Sequence, residues 1–248
     1  MEEIRINQYL SKCGICSRRE ADRAIEEGRV YVNGSPAAAG MKVTAEDLLV
    51  FDGKQVTGKQ ETVVLAVNKP IGVVCTTASF KGEKNIVDLV NFKSRVYPVG
   101  RLDKASEGLI LMTNDGELAE KISRGANGHE KEYRVRIDRK VTAEFTAAMS
   151  AGVDIQLTEK KNGAEFTRTV RTRPCKVTKV SADTFDIVLT QGLNRQIRRM
   201  CEALGCRVRS LLRVRVMNIS LGDLKSGEYR ILTKEELTEL KMLTEAKM

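Results

Sequence analysis

The sequence predicts an α+β fold in two parts. A small helix-led module spans residues 1–60, and a larger domain over 61–248 is built on a mostly antiparallel, mixed sheet flanked by helices. Three observations carry this reading. Residues 5–27 hold two short runs of helical spacing, each stopped by a glycine, and strand-and-turn units follow them. From Val63 onward, strand-like and helix-like segments alternate without the regular βαβ spacing of a parallel sheet. Apolar residues make up 42% of the 248, enough for a real core.

In the first part, Ile6, Tyr9, Leu10 and Cys13 share one helical face, and Gly14 stops the helix. Ser17-Arg18-Arg19-Glu20 is a capping box: the serine hydroxyl accepts from the Glu20 amide while the carboxylate reaches back. The second helix runs to Glu27, with Gly28 as its stop. Val30-Tyr31-Val32 then enters an Asn33-Gly34 turn, and Leu48 to Phe51 enters Asp52-Gly53.

In the second part, Val63 to Val67 is a strand ending at Asn68-Lys69-Pro70, and Gly72 to Thr76 continues extended, with Ile71, Val73 and Val74 read as core. Leu109 to Thr113 is a buried strand, and a short helix covers Glu117 to Ile122. Tyr133 to Ile137 alternates as a strand, and Thr142 to Met149 reads as a helix. Lys176–Val180 and Phe185–Leu189 form a strand pair, and Arg195–Leu204 a helix closed by Gly205. Thr233-Lys234-Glu235-Glu236 is a second capping box, opening a C-terminal helix.

Composition narrows the function. A formal net charge of +9 favours a polyanionic partner, nucleic acid before a membrane surface. There is no run of 18 or more apolar residues, and the acidic start is unlike a presequence, so a cytoplasmic protein is expected. A chain of this kind keeps its six cysteines as thiols. Cys13-x-x-Cys16 lacks a second pair at zinc-site spacing, so no metal is expected. His129 is the only histidine, which removes Ser-His-Asp, Cys-His and two-histidine metal chemistry. Gly53 to Gln60 nearly spells a P-loop, but Gln60 stands where a Ser or Thr would hold magnesium. It reads as a turn and a linker.

Few catalytic options remain, and Gly100-Arg101-Leu102-Asp103-Lys104-Ala105-Ser106-Glu107-Gly108-Leu109 stands out among them. It places a carboxylate between two cations at the mouth of an apolar strand. Three further segments accompany it: His129-Glu130-Lys131-Glu132-Tyr133, Gly192-Leu193-Asn194-Arg195-Gln196-Ile197-Arg198-Arg199-Met200, and Leu211-Leu212-Arg213-Val214-Arg215. Arginines crowd residues 195–215, where Glu202 is the one acid. Guanidinium forks neutralise phosphates and grip carboxylates.

The segment from Arg5 to Gly34 resembles the S4 RNA-binding module, with Arg5, Arg18, Arg19 and Arg29 as its RNA-facing cations, although Glu20, Asp22, Glu26 and Glu27 offset them. The motifs GRLDKASEGLILMTNDG, KEYRV and GLNRQIRRMCEALG resemble those of the S4-containing pseudouridine synthases that modify ribosomal RNA, over essentially the whole chain. The resemblance implies a cofactor-free isomerase, expected as a monomer. Its substrate would be large-subunit ribosomal RNA, with transfer RNA, or both, as alternatives; a non-catalytic RNA-binding assembly factor is the rival class. It makes Asp103 the catalytic aspartate, Tyr133 the aromatic packed on the base, Arg198 the partner of the aspartate and Leu211 the apolar wall. Arg101, Lys104, Asn194, Arg195, Arg199 and Arg213 are the expected RNA contacts around them.

The chemistry suits these residues. Uridine becomes pseudouridine when the N1–C1′ bond breaks, the base turns, and C5 joins C1′. No atom is gained or lost overall. An ionised carboxylate near C1′ either adds covalently or removes a sugar proton, and a neighbouring cation favours its charged form. An aromatic and an apolar side chain sandwich the uracil, worth about 1–3 kcal/mol per stacked base. The uridine must leave its stack to be reached.

Overall fold

The computed structural model describes residues 3–58, 60–78, 82–161 and 164–245. The chain divides into two compact units: residues 1–63 with 93–96 and 114–116, and the remainder from Val64.

The first unit begins with β1 (Ile4–Arg5), α1 (Ile6–Lys12) and α2 (Arg18–Glu26). The strands β2 (Val30–Val32), β3 (Ser35–Pro36), β4 (Lys42–Val43), β5 (Leu49–Phe51) and β6 (Lys54–Gln55) follow. Ser17 caps α2 by accepting from the Glu20 amide at 3.1 Å, worth about 1 kcal/mol. Asn33 and Gly34 both have positive φ, as do Asp52 and Gly53. Each pair makes the tight turn whose twist suits a hairpin, giving the sheet order β3-β2-β5-β6. The near-P-loop segment thus starts as a hairpin turn; its Lys59 lies outside the described residues. Ile6, Leu10, Ala21, Ala24, Ile25, Val30 and Leu49 close the core.

The second unit holds β7 (Val64–Lys69), α3 (Ile86–Val90), β8 (Tyr97–Pro98), β9 (Glu107–Thr113), α4 (Gly116–Ser123), β10 (Lys131–Ile137) and α5 (Ala143–Ser150). It continues through β11 (Asp154–Lys161), β12 (Ala164–Arg171), β13 (Lys176–Lys179), β14 (Thr184–Leu189), α6 (Gln196–Ala203), β15 (Val208–Val216), β16 (Ile219–Ser220), β17 (Tyr229–Ile231) and α7 (Lys234–Glu245). Seven strands run in the order β13-β14-β10-β15-β9-β7-β17, with β16 on β15 and β8 on β9. Every pairing is antiparallel except β15 with β9. The expected mixed, mostly antiparallel sheet is therefore present.

Two cores flank it. One gathers Val135, Phe185, Ile187, Phe145, Ile197 and Met200, and the Phe145 and Phe185 rings meet edge-on at 5.3 Å. The other gathers Leu109, Leu111, Leu118, Ile122, Ile219 and Leu240. Thr233 and Glu236 cap α7 reciprocally, at 2.9 and 3.2 Å. Two expectations need correction. Gly72 to Thr76 is not a strand: Gly72 turns at φ +90 and donates to the Lys104 carbonyl, and only Val74 makes a bridge, to Asn85. Ile71, at the tip of that turn, is 58% exposed, whereas Val73 is buried.

Candidate active site

β15 is the element on which the site depends. It lies between β10 and β9, so residues far apart in sequence meet across two ladders. Val135 pairs with Leu211 and Tyr133 with Arg213 on one side; Glu107 pairs with Leu212 and Gly108 with Arg213 on the other. Directly paired residues share a sheet face, and so do residues two apart. Tyr133, Leu211 and Arg213 therefore project together. The ladder shifts register between Glu132 and Tyr133, a bulge of the kind that re-aims side chains beside functional sites.

Gly108 makes this crossing possible. Its φ is +102, and a Cβ there would lie 2.4 Å from the Arg213 carbonyl oxygen and 2.7 Å from its amide nitrogen. No other residue fits. The close approach delivers the Asp103 loop, which immediately precedes β9, to the end of β15. Arg213 is buried, and its Nε donates to the Leu109 carbonyl at 2.6 Å, locking it to the same strand.

A cleft of about 480 Å³ opens above this crossing. Asp103, half-buried, is the one carboxylate among its described lining residues. Around it stand Arg101, Arg124, Lys131, Arg195, Arg198 and Arg213, with Tyr133 and Leu211 among the walls. The structure thus brings together Asp103, Tyr133, Arg198, Leu211, Arg101, Asn194, Arg195 and Arg213.

Arg198 reaches the loop from the first turn of α6. The turn is set by Arg195, whose φ of 50 places it in the left-handed region, uncommon for a residue with a Cβ. The expected Arg198–Asp103 fork is not made: no ion pair within 4.0 Å joins them. Arg198 instead donates to the Ala105 carbonyl at 2.7 Å and the Ser106 hydroxyl at 3.4 Å, while its Nε is buried with no hydrogen-bond partner among the described residues. Burial and the neighbouring Arg195 lower the pKa of this guanidinium, and Asp103 acts to raise it. The arginine therefore holds the loop that carries the aspartate and keeps one donor unused. Loop bonds from Ser106 N–H to the Asp103 carbonyl and from Gly72 N–H to the Lys104 carbonyl fix the turn from both sides.

Other expected contacts fall elsewhere. Lys104 points to Glu83, 2.9 Å away, and Arg199 is spent on Asn194 and on the Gln156 carbonyl, tying the head of α6 to β11. In the first unit Arg5, Arg18 and Arg19 are exposed and make no ion pair among the described residues. Arg29 pairs with Glu27 and Asp52 at 2.8 Å, sits 3.6 Å from Glu20, and lies over the Phe51 ring at 5.6 Å. It is not a free cation.

Two lysines were not singled out from the sequence. Lys131 lines the cleft and donates to the His129 carbonyl at 3.3 Å; burial, and secondarily the charge of Arg213, push it down to about 8. Lys69 is fully buried, with Nζ on the Pro70 and Val73 carbonyls at 2.9 Å, and burial lowers its pKa. The signal for Lys131 was its place two residues before Tyr133 on an alternating strand, which puts both side chains on one face. Among the described residues, no group of three or more His, Cys, Asp or Glu is placed to hold a metal ion.

A single acid in a cationic cleft beside an aromatic wall suits a protein that takes a polyanionic ligand. Comparison with known proteins gives that class its family. The RNA pseudouridylate synthase family matches residues 63–203, and the S4 domain matches residues 4–49. The chain is 48% identical over 245 residues to a dual-specificity RNA pseudouridine synthase RluF of Escherichia coli strain K12, covering 98% of this chain and 80% of that one. It is 33% identical over 243 residues to a ribosomal large subunit pseudouridine synthase B of Bacillus subtilis strain 168, covering 97% of each. A crystal structure of a pseudouridylate synthase superposes with a TM-score of 0.66 at 26% identity, covering 96% of this chain and 99% of that one. The chain belongs to the S4-containing RNA pseudouridine synthases, isomerases that convert uridine to pseudouridine in RNA.

Proposed function

We propose that this enzyme isomerises a uridine of 23S ribosomal RNA, with Asp103 as the carboxylate that acts at C1′. The observation that supports it is the composition of the cleft, one acid among six cations beside an aromatic and an apolar wall. Tyr133 stacks on the flipped uracil and assists loss of the C5 proton; Leu211 closes the opposite side. Arg198 positions the Asp103 loop through Ala105 and Ser106 and offers its unused Nε–H to the carboxylate once RNA excludes water. Leaving a buried donor unsatisfied costs about 1–3 kcal/mol, which contact with the carboxylate or substrate would recover. Residues 1–60 form the RNA-capturing module and residues 61–248 carry the chemistry. The protein works as a monomer in the cytoplasm; among the described residues, no helix is long and apolar enough to cross a membrane.

A second reading adds transfer RNA as a substrate. It is favoured by the similarity, at 48% identity, to dual-specificity RNA pseudouridine synthases. Tritium release from RNA labelled at uridine C5 tests both. Release from 23S ribosomal RNA, with the modified position mapped, is expected. Release from transfer RNA alone would replace the first substrate with the second, and release from neither would remove both.

A further inference from the structure

Four cations gather at the far end of β10, away from the cleft. Arg136, Arg139, Lys140 and Arg209 line an open depression of about 490 Å³ together with Asp138 and Asp183. The depression starts at Arg136 and Ile137. About 13 Å of strand separates Ile137 from Tyr133 at roughly 3.3 Å per residue. Arg136 also alternates with Tyr133 and Val135, so it projects from the opposite face of the sheet.

These four lack the ion pairs that several arginines of the same unit make. Arg134 pairs with Asp186 at 2.9 Å, Arg215 with Glu132 at 2.8 Å, and Arg230 with Glu236 at 2.7 Å. None of the four has an ion pair within 4.0 Å among the described residues. The two local carboxylates take their hydrogen bonds from other groups, and Asp138 acts on Arg139 and Arg209 only through longer-range charge. Asp138 accepts the Arg207 amide at 2.8 Å, and Asp183 accepts the Ser181 and Thr184 hydroxyls at 3.2 and 2.9 Å. Four cations and two acids leave a local surplus of two positive charges. Clustered cations repel one another, and an anion relieves that repulsion; guanidinium forks suit phosphate oxygens in particular. A single small anion would occupy little of an open depression of about 490 Å³, whereas a polynucleotide backbone presents phosphates at regular intervals.

We infer that this depression is a second RNA-backbone site, holding phosphodiesters several nucleotides from the uridine in the cleft. The inference rests on RNA being the substrate and adds where its flanking backbone is gripped. Such a site contributes affinity without touching the reacting atoms, so it acts on KM and on salt dependence.

The test uses the full chain with Arg136, Arg139, Lys140 and Arg209 all changed to Gln. A charge-matched control changes the exposed Lys179, Lys225, Lys234 and Lys241 to Gln. Circular dichroism checks that both remain folded. With transcribed 23S ribosomal RNA, the first variant is expected to raise KM about 10-fold or more with kcat unchanged. The slope of log affinity for an RNA duplex of about 16 bp against log salt should fall by about 3, near 0.7–0.9 per lost phosphate contact. A short stem-loop that fills only the cleft should be processed equally by both variants. Equal slopes in variant and control, or a loss as large on the stem-loop as on the long RNA, would overturn the site. So would inorganic phosphate that binds the wild type at this depression while RNA affinity is the same in wild type and variant. Failure of the wild type to release tritium from any RNA would instead count against the substrate; the duplex-binding slopes still read the depression.

Discussion

The cations of the N-terminal unit and those of the cleft look alike in sequence and differ in what they meet. Arg29 is surrounded by Glu20, Glu27 and Asp52, so its charge is consumed within the unit. Arg101, Lys131, Arg195, Arg198 and Arg213 line the cleft around one carboxylate, Asp103, while Arg124 at its rim pairs with Glu120. A cation count locates basic segments; the acids folded against them decide which cations are available to a ligand. In the cleft, even Arg198 does not neutralise Asp103. It holds the backbone on which the aspartate sits.

Changes to the cleft and its frame should therefore cost more than changes to the self-neutralised Arg29. Beyond the aspartate itself, Gly108→Ala should have the largest effect, about 3 kcal/mol of stability, because its Cβ meets the Arg213 backbone and its φ is positive. Urea unfolding reads this, and a midpoint equal to wild type would show that β9 and β15 can separate at no cost. Arg198→Met should lower kcat about 100-fold, or about 2.7 kcal/mol at the transition state, with RNA affinity little changed. A change confined to KM would make Arg198 a phosphate contact instead.

Lys131 gives a pH signature. Its pKa in the folded chain, about 8, lies below that of an ordinary lysine, because burial disfavours its charge. Between about pH 8 and 10.4 unfolding takes up a proton at this site, so its contribution to stability should rise with pH; below 8 the penalty is constant. Lys131→Met should remove that slope from a series of urea midpoints, and an unaltered slope would mean the amine is solvated. The smallest effect is expected at Arg29. Arg29→Gln should change stability by about 1 kcal/mol or less and leave RNA affinity intact, whereas Arg18→Gln with Arg19→Gln should weaken it. The reverse order would erase the contrast between neutralised and available cations.

Much of this was legible locally. Ser17 and Thr233 announce their helices because capping is a short-range bond, and Asn33-Gly34 and Asp52-Gly53 announce their hairpins because only certain residues tolerate positive φ. Asp103, Tyr133 and Leu211 were found as motifs, and they meet in the cleft. What was not legible depends on long-range pairing. The centrality of β15 follows from neighbours about 80 and 105 residues earlier in the chain. The β11–β12 ribbon went unseen because it mixes polar and apolar residues and buries only its base, at Ile155 and Leu157. Ile71 looked like core because it is apolar, but it lies on a turn whose shape is set by Gly72 and a bond to Lys104. The Arg198 geometry needed the distances themselves.

The central claim is that one carboxylate does the chemistry while the cations hold the RNA. Asp103→Asn tests it most directly, with tritium release and RNA binding measured on the same preparation. The claim predicts that release falls by about 1,000-fold or more while affinity stays within a few-fold of wild type, since phosphate contacts dominate binding. Release near the wild-type rate, or affinity lost in step with release, would contradict it.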